Sequence, residues 1–235
     1  MTNLLSLFQD EILNSSMKNI PIFPLPGHVL LPGEPLPLHI FEERYKQLAE
    51  FALTQKRLMV LANLKSDLGK IGEEKNKIYD IAGLGRIVLD ERMADGRFNL
   101  VLLGLKRIRI KEIVQETPFQ QAEIEILPET SPSIFFPQAQ SLENEIYGLI
   151  SQMGKLNNDH LEEDLSKMIK NFSYQDISLG ALTDLVSAYL PLASKEKQMI
   201  LEETDMVKRA EKLIFELKFK IYSLQRGGSS STLLN

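Results

Sequence analysis

Residues 20–45 read IPIFPLPGHVLLPGEPLPLHIFEERY and carry six of the chain's eleven prolines. Proline fixes φ near −65° and removes a backbone donor, so it is confined to edge strands, strand ends and turns. The apolar runs Ile20–Leu25 and Leu36–Phe41 are therefore expected as short strands. Between them Pro26–Pro35 forms a rigid loop, in which Gly27 and Gly33 supply a bend or a positive φ. Phe41, Tyr45, Leu48, Ala49, Ala52 and Leu53 then recur at helical spacing, with Glu42 and Glu43 favourably placed at the positive helix end. The stretch is a clamp on two strands that hands the chain to a helix.

Working outward, Arg57–Ala62 reads as a buried strand, and 63–77 as a polar, solvated loop. Residues 78–93 supply one or two strands with Gly83 and Gly85 as bulge or bend points. Asp95-Gly96 between two β-rich runs signals a hairpin. Runs 97–103, 105–114 and 119–127 follow as strands. About six strands and one helix by residue 127 suit a small closed or half-closed barrel, because closure removes exposed edges. Three prolines mark 128–137 as a linker, and beyond it the periodicity is helical. Leu142–Met153, Leu161–Ile169, Leu179–Leu190 and Thr204–Leu224 each show an apolar stripe. Ser178 is a candidate N-cap for the third of these. Ser194 is a candidate cap for a short helix, although Lys197 stands where a capping box wants Glu or Gln. The expected organisation is an amphipathic helix over 1–18, a barrel lobe over 19–127, the linker, a helical lobe over 138–225 and a Gly/Ser-rich tail over 226–235. The class is α+β.

The blocks PIFPL, VLLPGE and LPLHIFEERY, in that order, are similar to the opening of the Lon protease N-terminal, substrate-binding domain. The likeness continues through GLGRI at 83–87, Asp95-Gly96-Arg97, Gly104-Leu105-Lys106-Arg107, Glu196-Lys197-Gln198 and Ile200-Leu201-Glu202, and covers roughly 19–224. The resemblance implies a PUA-like β-barrel lobe followed by a helical bundle, acting as a non-catalytic module that recognises unfolded or specific protein segments. It implies no active site and no cofactor. The ATPase signature GxxxxGK[ST] is absent: Gly148 and Gly154-Lys155 are separated by one residue too many, and Leu156 stands where the magnesium-binding hydroxyl belongs.

Composition narrows the alternatives. With no cysteine, disulfides, thiolate metal sites and cysteine nucleophiles are excluded together. The start, MTNLLSLFQDEIL, lacks a basic n-region, and no apolar run reaches the ~20 residues of a membrane helix, so a cytoplasmic location is expected. A net charge of −5 argues against a nucleic-acid partner. RNA binding, as in other PUA-like proteins, would need Arg86, Arg97, Arg107 and Arg109 on one basic face; an uncharacterised enzyme is the other alternative. The three histidines, His28, His39 and His160, lack H-x-x-x-H spacing, so no metal is expected. His39 is expected as a hydrogen-bonded side chain in or near the barrel core.

Two apolar features could bind a peptide. One is the proline clamp, too apolar for a free loop, where Leu30, Leu31 and Pro32 either pack on the helical half or line a groove. Arg44, Arg86, Arg97 and Arg107 either tie strand ends and loop carbonyls together or, in the case of Arg44, Arg97 and Arg107, anchor a peptide's carbonyls or carboxylate. The other is the last helix, where Met206, Ala210, Leu213, Leu217, Ile221 and Leu224 form one stripe and Phe215, Phe219 and Tyr222 a second. A helix apolar on two faces is either sandwiched in its own chain or offers one face to a partner, and at least one of the three aromatics is expected to stay exposed. Self-association through the N-terminal or the last helix is the related expectation.

Overall fold

The computed structural model describes residues 16–65, 78–130, 136–157 and 177–227. Most of the expected N-terminal helix, most of loop 63–77, helix Leu161–Ile169 and nearly all of the tail lie outside them. Among the described residues there are six strands and five helices, an α+β arrangement. The chain divides into two compact units, Met1–Pro128 with Pro191–Glu202, and Glu129–Leu190 with Glu203–Asn235.

The first unit contains β1 (Met17–Pro24), β2 (Pro35–Ile40), α1 (Glu43–Thr54), β3 (Leu58–Ala62), β4 (Ile81–Arg92), β5 (Phe98–Gln115), β6 (Gln121–Ile126) and α4 (Ser194–Glu202). The strand order is β2-β5-β4-β3-β1-β6, and β6 also pairs with β5. The pairings β5-β4-β3-β1-β6 therefore return to their start, with β2 added on the N-terminal half of β5. Arg97–Leu103 and 105–114, read from sequence as two strands, are one 18-residue strand. Gly104 lies inside it, and the strand stays continuous because the glycine makes room for another segment rather than turning the chain.

That segment is the proline loop. Leu30 and Leu31 are fully buried, and a Cβ on Gly83 would overlap the Leu30 carbonyl, as one on Gly104 would overlap the Leu31 carbonyl. A Cβ on Gly85 would stand 2.6 Å from Leu102 Cγ. Three glycines thus pave the sheet where the loop crosses it. The loop is held there by backbone hydrogen bonds from Gly33 to Gly104 O (2.9 Å) and from Gly104 to Glu34 O (2.8 Å). The second bond sets the alternation of β2: its even-numbered residues turn their backbone groups to β5. Pro35 and Pro37 then occupy the outer edge, where they have no N–H to offer another strand. Gly27 and Gly33 adopt φ of +74° and +85°, as the bends require.

Burial explains why β3 reads as an unbroken apolar run. Leu58, Val60 and Ala62 join a core with Ile22, Leu84, Leu105, Ile108 and Ile124, whereas Met59 and Leu61 join a second core with Leu30, Leu48, Ile87 and Leu102. Both faces are buried, so the alternation disappears.

α4 falls in sequence within the expected helical lobe but belongs to the first unit. Gln198 Nε2 donates to Ile81 O (3.0 Å), and Arg107 Nε donates to Leu201 O (3.1 Å). Its cap also sits one residue earlier than expected: Glu196 Oε2 accepts from Ala193 N (2.7 Å) and Lys197 N donates to Ala193 O (3.0 Å). The reciprocal acid absent at Lys197 is therefore present at Glu196, three residues after Ala193.

The second unit holds α2 (Phe136–Asn157), α3 (Leu179–Tyr189) and α5 (Met206–Gly227), with α2 and α3 both packed on α5. α2 starts inside the expected linker, since Pro137 is tolerated in a first helical turn. Ser178 caps α3 as expected, its Oγ accepting from Ala181 N (3.2 Å). The centre of this unit is a charge. Arg209 is fully buried, with Nε 3.2 Å from Asp184 Oδ1, Nη1 donating to Glu203 O (2.8 Å) and Nη2 to the Glu129 carboxylate. Gly180 clears its path, because a Cβ there would stand 2.6 Å from Nη2.

Two stability results are expected. Gly104→Ala forces the loop off the sheet and costs about 3 kcal/mol, the upper range for overpacking, read as a fall in the denaturation midpoint of the first unit. Asp184→Ala removes the buried one of the two carboxylates that face Arg209, leaves Glu129 as its acidic partner, and costs about 3 kcal/mol in the second, the lower end for a broken buried pair. A neutral result for either would mean that the contact is not structural.

Candidate functional site

The nine residues singled out from sequence separate into three environments. Leu30 and Leu31 have no exposed surface and cannot line a groove. The clamp's leucines pack into their own unit, and of Leu30, Leu31 and Pro32 only Pro32 keeps partial exposure. Arg107 is likewise no rim anchor: it is 6% exposed and its Nε is engaged by Leu201 O.

Arg44 and Arg97 are on the surface. Arg44 pairs with Glu42 (3.2 Å) and lies 4.5 Å from the Tyr45 ring centre. Arg97 pairs with Asp95 (2.7 Å), whose carboxyl is held below the usual carboxylate range by the Arg97 amide and, further, by its guanidinium. Arg97 Nη1 also lies 3.2 Å from His39 Nε2. A guanidinium can only donate, so this nitrogen accepts and His39 Nδ1–H donates to Asn99 Oδ1 (2.8 Å). His39 is therefore an exposed member of a surface network, not a core side chain; in β2 it falls on the outward side of the alternation.

Phe215, Phe219 and Tyr222 stand apart. α5 begins with Asp205, missed in the sequence reading, whose Oδ1 accepts from Val207 N (3.0 Å) and Lys208 N (3.3 Å). Its inner stripe is spent in packing: Ala210, Leu213 and Leu217 are fully buried and Ile221 nearly so. The aromatic stripe is not. Phe215 is 67% exposed, Phe219 59% and Tyr222 52%, with the Arg226 guanidinium 4.9 Å above the Tyr222 ring. Three adjacent large apolar side chains in water, on a helix anchored along its opposite side, make the clearest candidate surface in the second unit.

A smaller apolar surface on the first unit was not anticipated. Pro37, Val101 and Leu89 are in register across β2, β5 and β4, and Leu89 is 65% exposed. The next row, His39, Asn99 and Glu91, is hydrogen-bonded across the strands, with Asn99 Nδ2 donating to Glu91 Oε2 (2.9 Å). Period-two alternation combined with the register set by the Asp95-Gly96 turn could have located it. An open pocket near Lys18, Gln55, Lys56 and Gln121 contains none of the nine residues. Among the described residues no three His, Asp or Glu side chains cluster as a metal site would need, and no helix is long and apolar enough to cross a membrane.

Comparison with known proteins gives one consistent result. The family profile described as the ATP-dependent protease La (LON) substrate-binding domain matches residues 19–218. Lon proteases of Koribacter versatilis and Dictyoglomus thermophilum are 27% and 28% identical, each over 88% of this chain. The matched parts are 24% and 25% of those proteins, so the chain spans about a quarter of their length. The fold is similar to the N-terminal domain of the Mycobacterium avium complex Lon protease, at TM-score 0.62 and 18% identity over 86% of this chain and 98% of that one. It is also similar to a Lon N-terminal domain protein from Xanthomonas campestris, at TM-score 0.57 and 19% identity over 84% of this chain and 98% of that one.

Within the loop, Glu34 has a testable titration. Burial pushes its carboxyl above the ordinary 4.5, outweighing the Leu31 amide at 2.9 Å and the Lys197 ammonium at 3.7 Å. Below 4.5 the group is protonated folded and unfolded alike, and stability is at its fullest. As pH rises through the raised folded value, ionisation in place costs stability. Denaturation midpoints taken from pH 4 upward should fall over that window in the native chain and fall less in Glu34→Gln; parallel curves would contradict this.

Proposed function

Because this chain belongs to the ATP-dependent protease La (LON) substrate-binding domain family, we propose that it recognises unfolded or apolar segments of other proteins and performs no chemistry of its own. The observation that carries this reading is the exposure of Phe215, Phe219 and Tyr222 on one side of α5. Aromatic rings offer large apolar area for little side-chain entropy, and their burial against a peptide's apolar side chains is the driving force. The ATPase and proteolytic parts of Lon proteases lie outside the matched region, so hydrolysis belongs to those parts and binding to this one. We read the cycle of strand pairings as the PUA-like barrel, α2, α3 and α5 as the helical bundle, and the cytoplasm as the place of work.

RNA binding is less well supported. Arg107 is buried, Arg97 and Arg109 lie 2.7 Å and 3.6 Å from Asp95 and Glu125, and the net charge is −5. That is a poor platform for phosphates.

Binding to a peptide array at low and high salt tests the proposal. Apolar, unstructured peptides should be retained in high salt, and Phe215→Ala with Phe219→Ala should weaken binding roughly tenfold or more, as loss of aromatic anchors does. Unchanged binding by the double variant would move the site off α5, and binding to no peptide at all would sink the proposal.

A further inference from the structure

The exposed side of α5 carries more than its aromatics. At 100° per residue, Glu211, Phe215, Phe219, Tyr222 and Arg226 share a face roughly 80° wide. Most nearby charges are already matched: Lys208 with Asp205 (4.0 Å), Lys212 with Glu203 (2.9 Å) and Lys218 with Glu145 (2.6 Å). Glu211 and Arg226 are the exceptions on this face, since among the described residues neither meets an opposite charge; Arg226 is occupied only by the Tyr222 ring. Lys220 also lacks a partner, but it lies about 140° round the helix from Phe215.

The positions of these residues are related. The midpoint between Glu211 and Arg226 falls between Lys218 and Phe219, and so does the midpoint between Phe215 and Tyr222. A two-fold axis through that point, perpendicular to the helix, would set a second α5 antiparallel to the first. Phe215 would then be level with the partner's Tyr222, and Glu211 with the partner's Arg226. Both relations occur twice by symmetry, over a helix length of about 22 Å. The apolar stripe and the two unmatched charges are satisfied by one operation, which a random partner would not achieve.

We infer that α5 pairs antiparallel with α5 of a second copy of this chain, and that this pairing covers the aromatic stripe when no peptide is bound. The inference rests on the reading of the stripe as the peptide surface and adds its regulation: a segment to be bound must displace the other copy. Dimer and peptide complex are then mutually exclusive, and occupancy depends on the concentration of the chain itself.

Sedimentation equilibrium of the full chain over a wide micromolar range, in low salt, tests this. A monomer–dimer equilibrium is expected. Arg226→Glu and Glu211→Arg should each weaken it by roughly tenfold, because every reversal acts twice in a symmetric dimer. The combined variant Glu211→Arg with Arg226→Glu should recover most of the loss, which a folding defect would not do. Addition of a Phe/Leu-rich unstructured peptide should dissociate the dimer. A monomer at every concentration, single reversals without effect, or a dimer that persists under saturating peptide would overturn the inference. The two readings fail separately: peptide binding by a chain that never dimerises removes only the pairing, whereas a swap-rescued dimer that binds no peptide removes the recognition proposal.

Discussion

The first unit depends on one close approach, the backbone of Leu30 and Leu31 laid directly on β4 and β5. No side chain larger than hydrogen fits beneath those two carbonyls, so Gly83 and Gly104 are required where they are, and Gly85 makes room for the leucine side chains. Once the loop is seated, the rest follows locally. Its exit bends at Gly33, returns as β2 along β5 and turns its proline edge outward. Leu30 shares its core with Leu48, Ala49 and Ala52 of α1. Glu34, at the loop's end, faces Lys197 of α4, which is further fixed by Gln198 and Arg107. A helix far along the sequence is thereby made part of the first unit.

The same constraint explains which parts of the molecule were legible in the sequence. Strand positions, the helix after Phe41, the hairpin at Asp95-Gly96 and the cap at Ser178 depend on local rules: period, turn chemistry and proline placement. All are found close to where those rules put them. What the sequence could not give is what each apolar run packs against. Leu30 and Leu31 are equally apolar in a groove or in a core, and only the glycines beneath them decide the matter. Arg107 was open to two readings, a structural fork on a loop carbonyl or a peptide anchor; its bond to the Leu201 carbonyl of α4 is of the first kind, a contact across 94 positions of sequence that no local rule locates. Gly104 reads as a break in a β run unless the segment crossing it is known.

The candidate surface fared differently. A helix apolar on two opposite faces is either sandwiched in its own chain or offers one face to a partner, and its sequence alone does not choose between them. The structure supplies the missing half, since Ala210, Leu213 and Leu217 are spent inside the second unit and Phe215, Phe219 and Tyr222 remain in water. Burial of Arg209 among Asp184, Glu129 and Glu203 fixes the helix that carries them. The exposed apolar side chains are thus not those of Leu30 and Leu31 in the proline loop, which are buried, but Phe215, Phe219 and Tyr222 on α5. The row Pro37–Val101–Leu89 is smaller, and a hydrogen-bonded polar row borders it.

The most direct measurement is a side-chain NMR titration of the protein, with labelled aromatic and leucine positions, against an unstructured apolar peptide. Signals of Phe215, Phe219 and Tyr222 should shift in a saturable way while those of Leu30 and Leu31 stay fixed. Saturable shifts at Leu30 and Leu31, with the α5 aromatics unmoved, would contradict the assignment of recognition to α5 and return it to the proline loop.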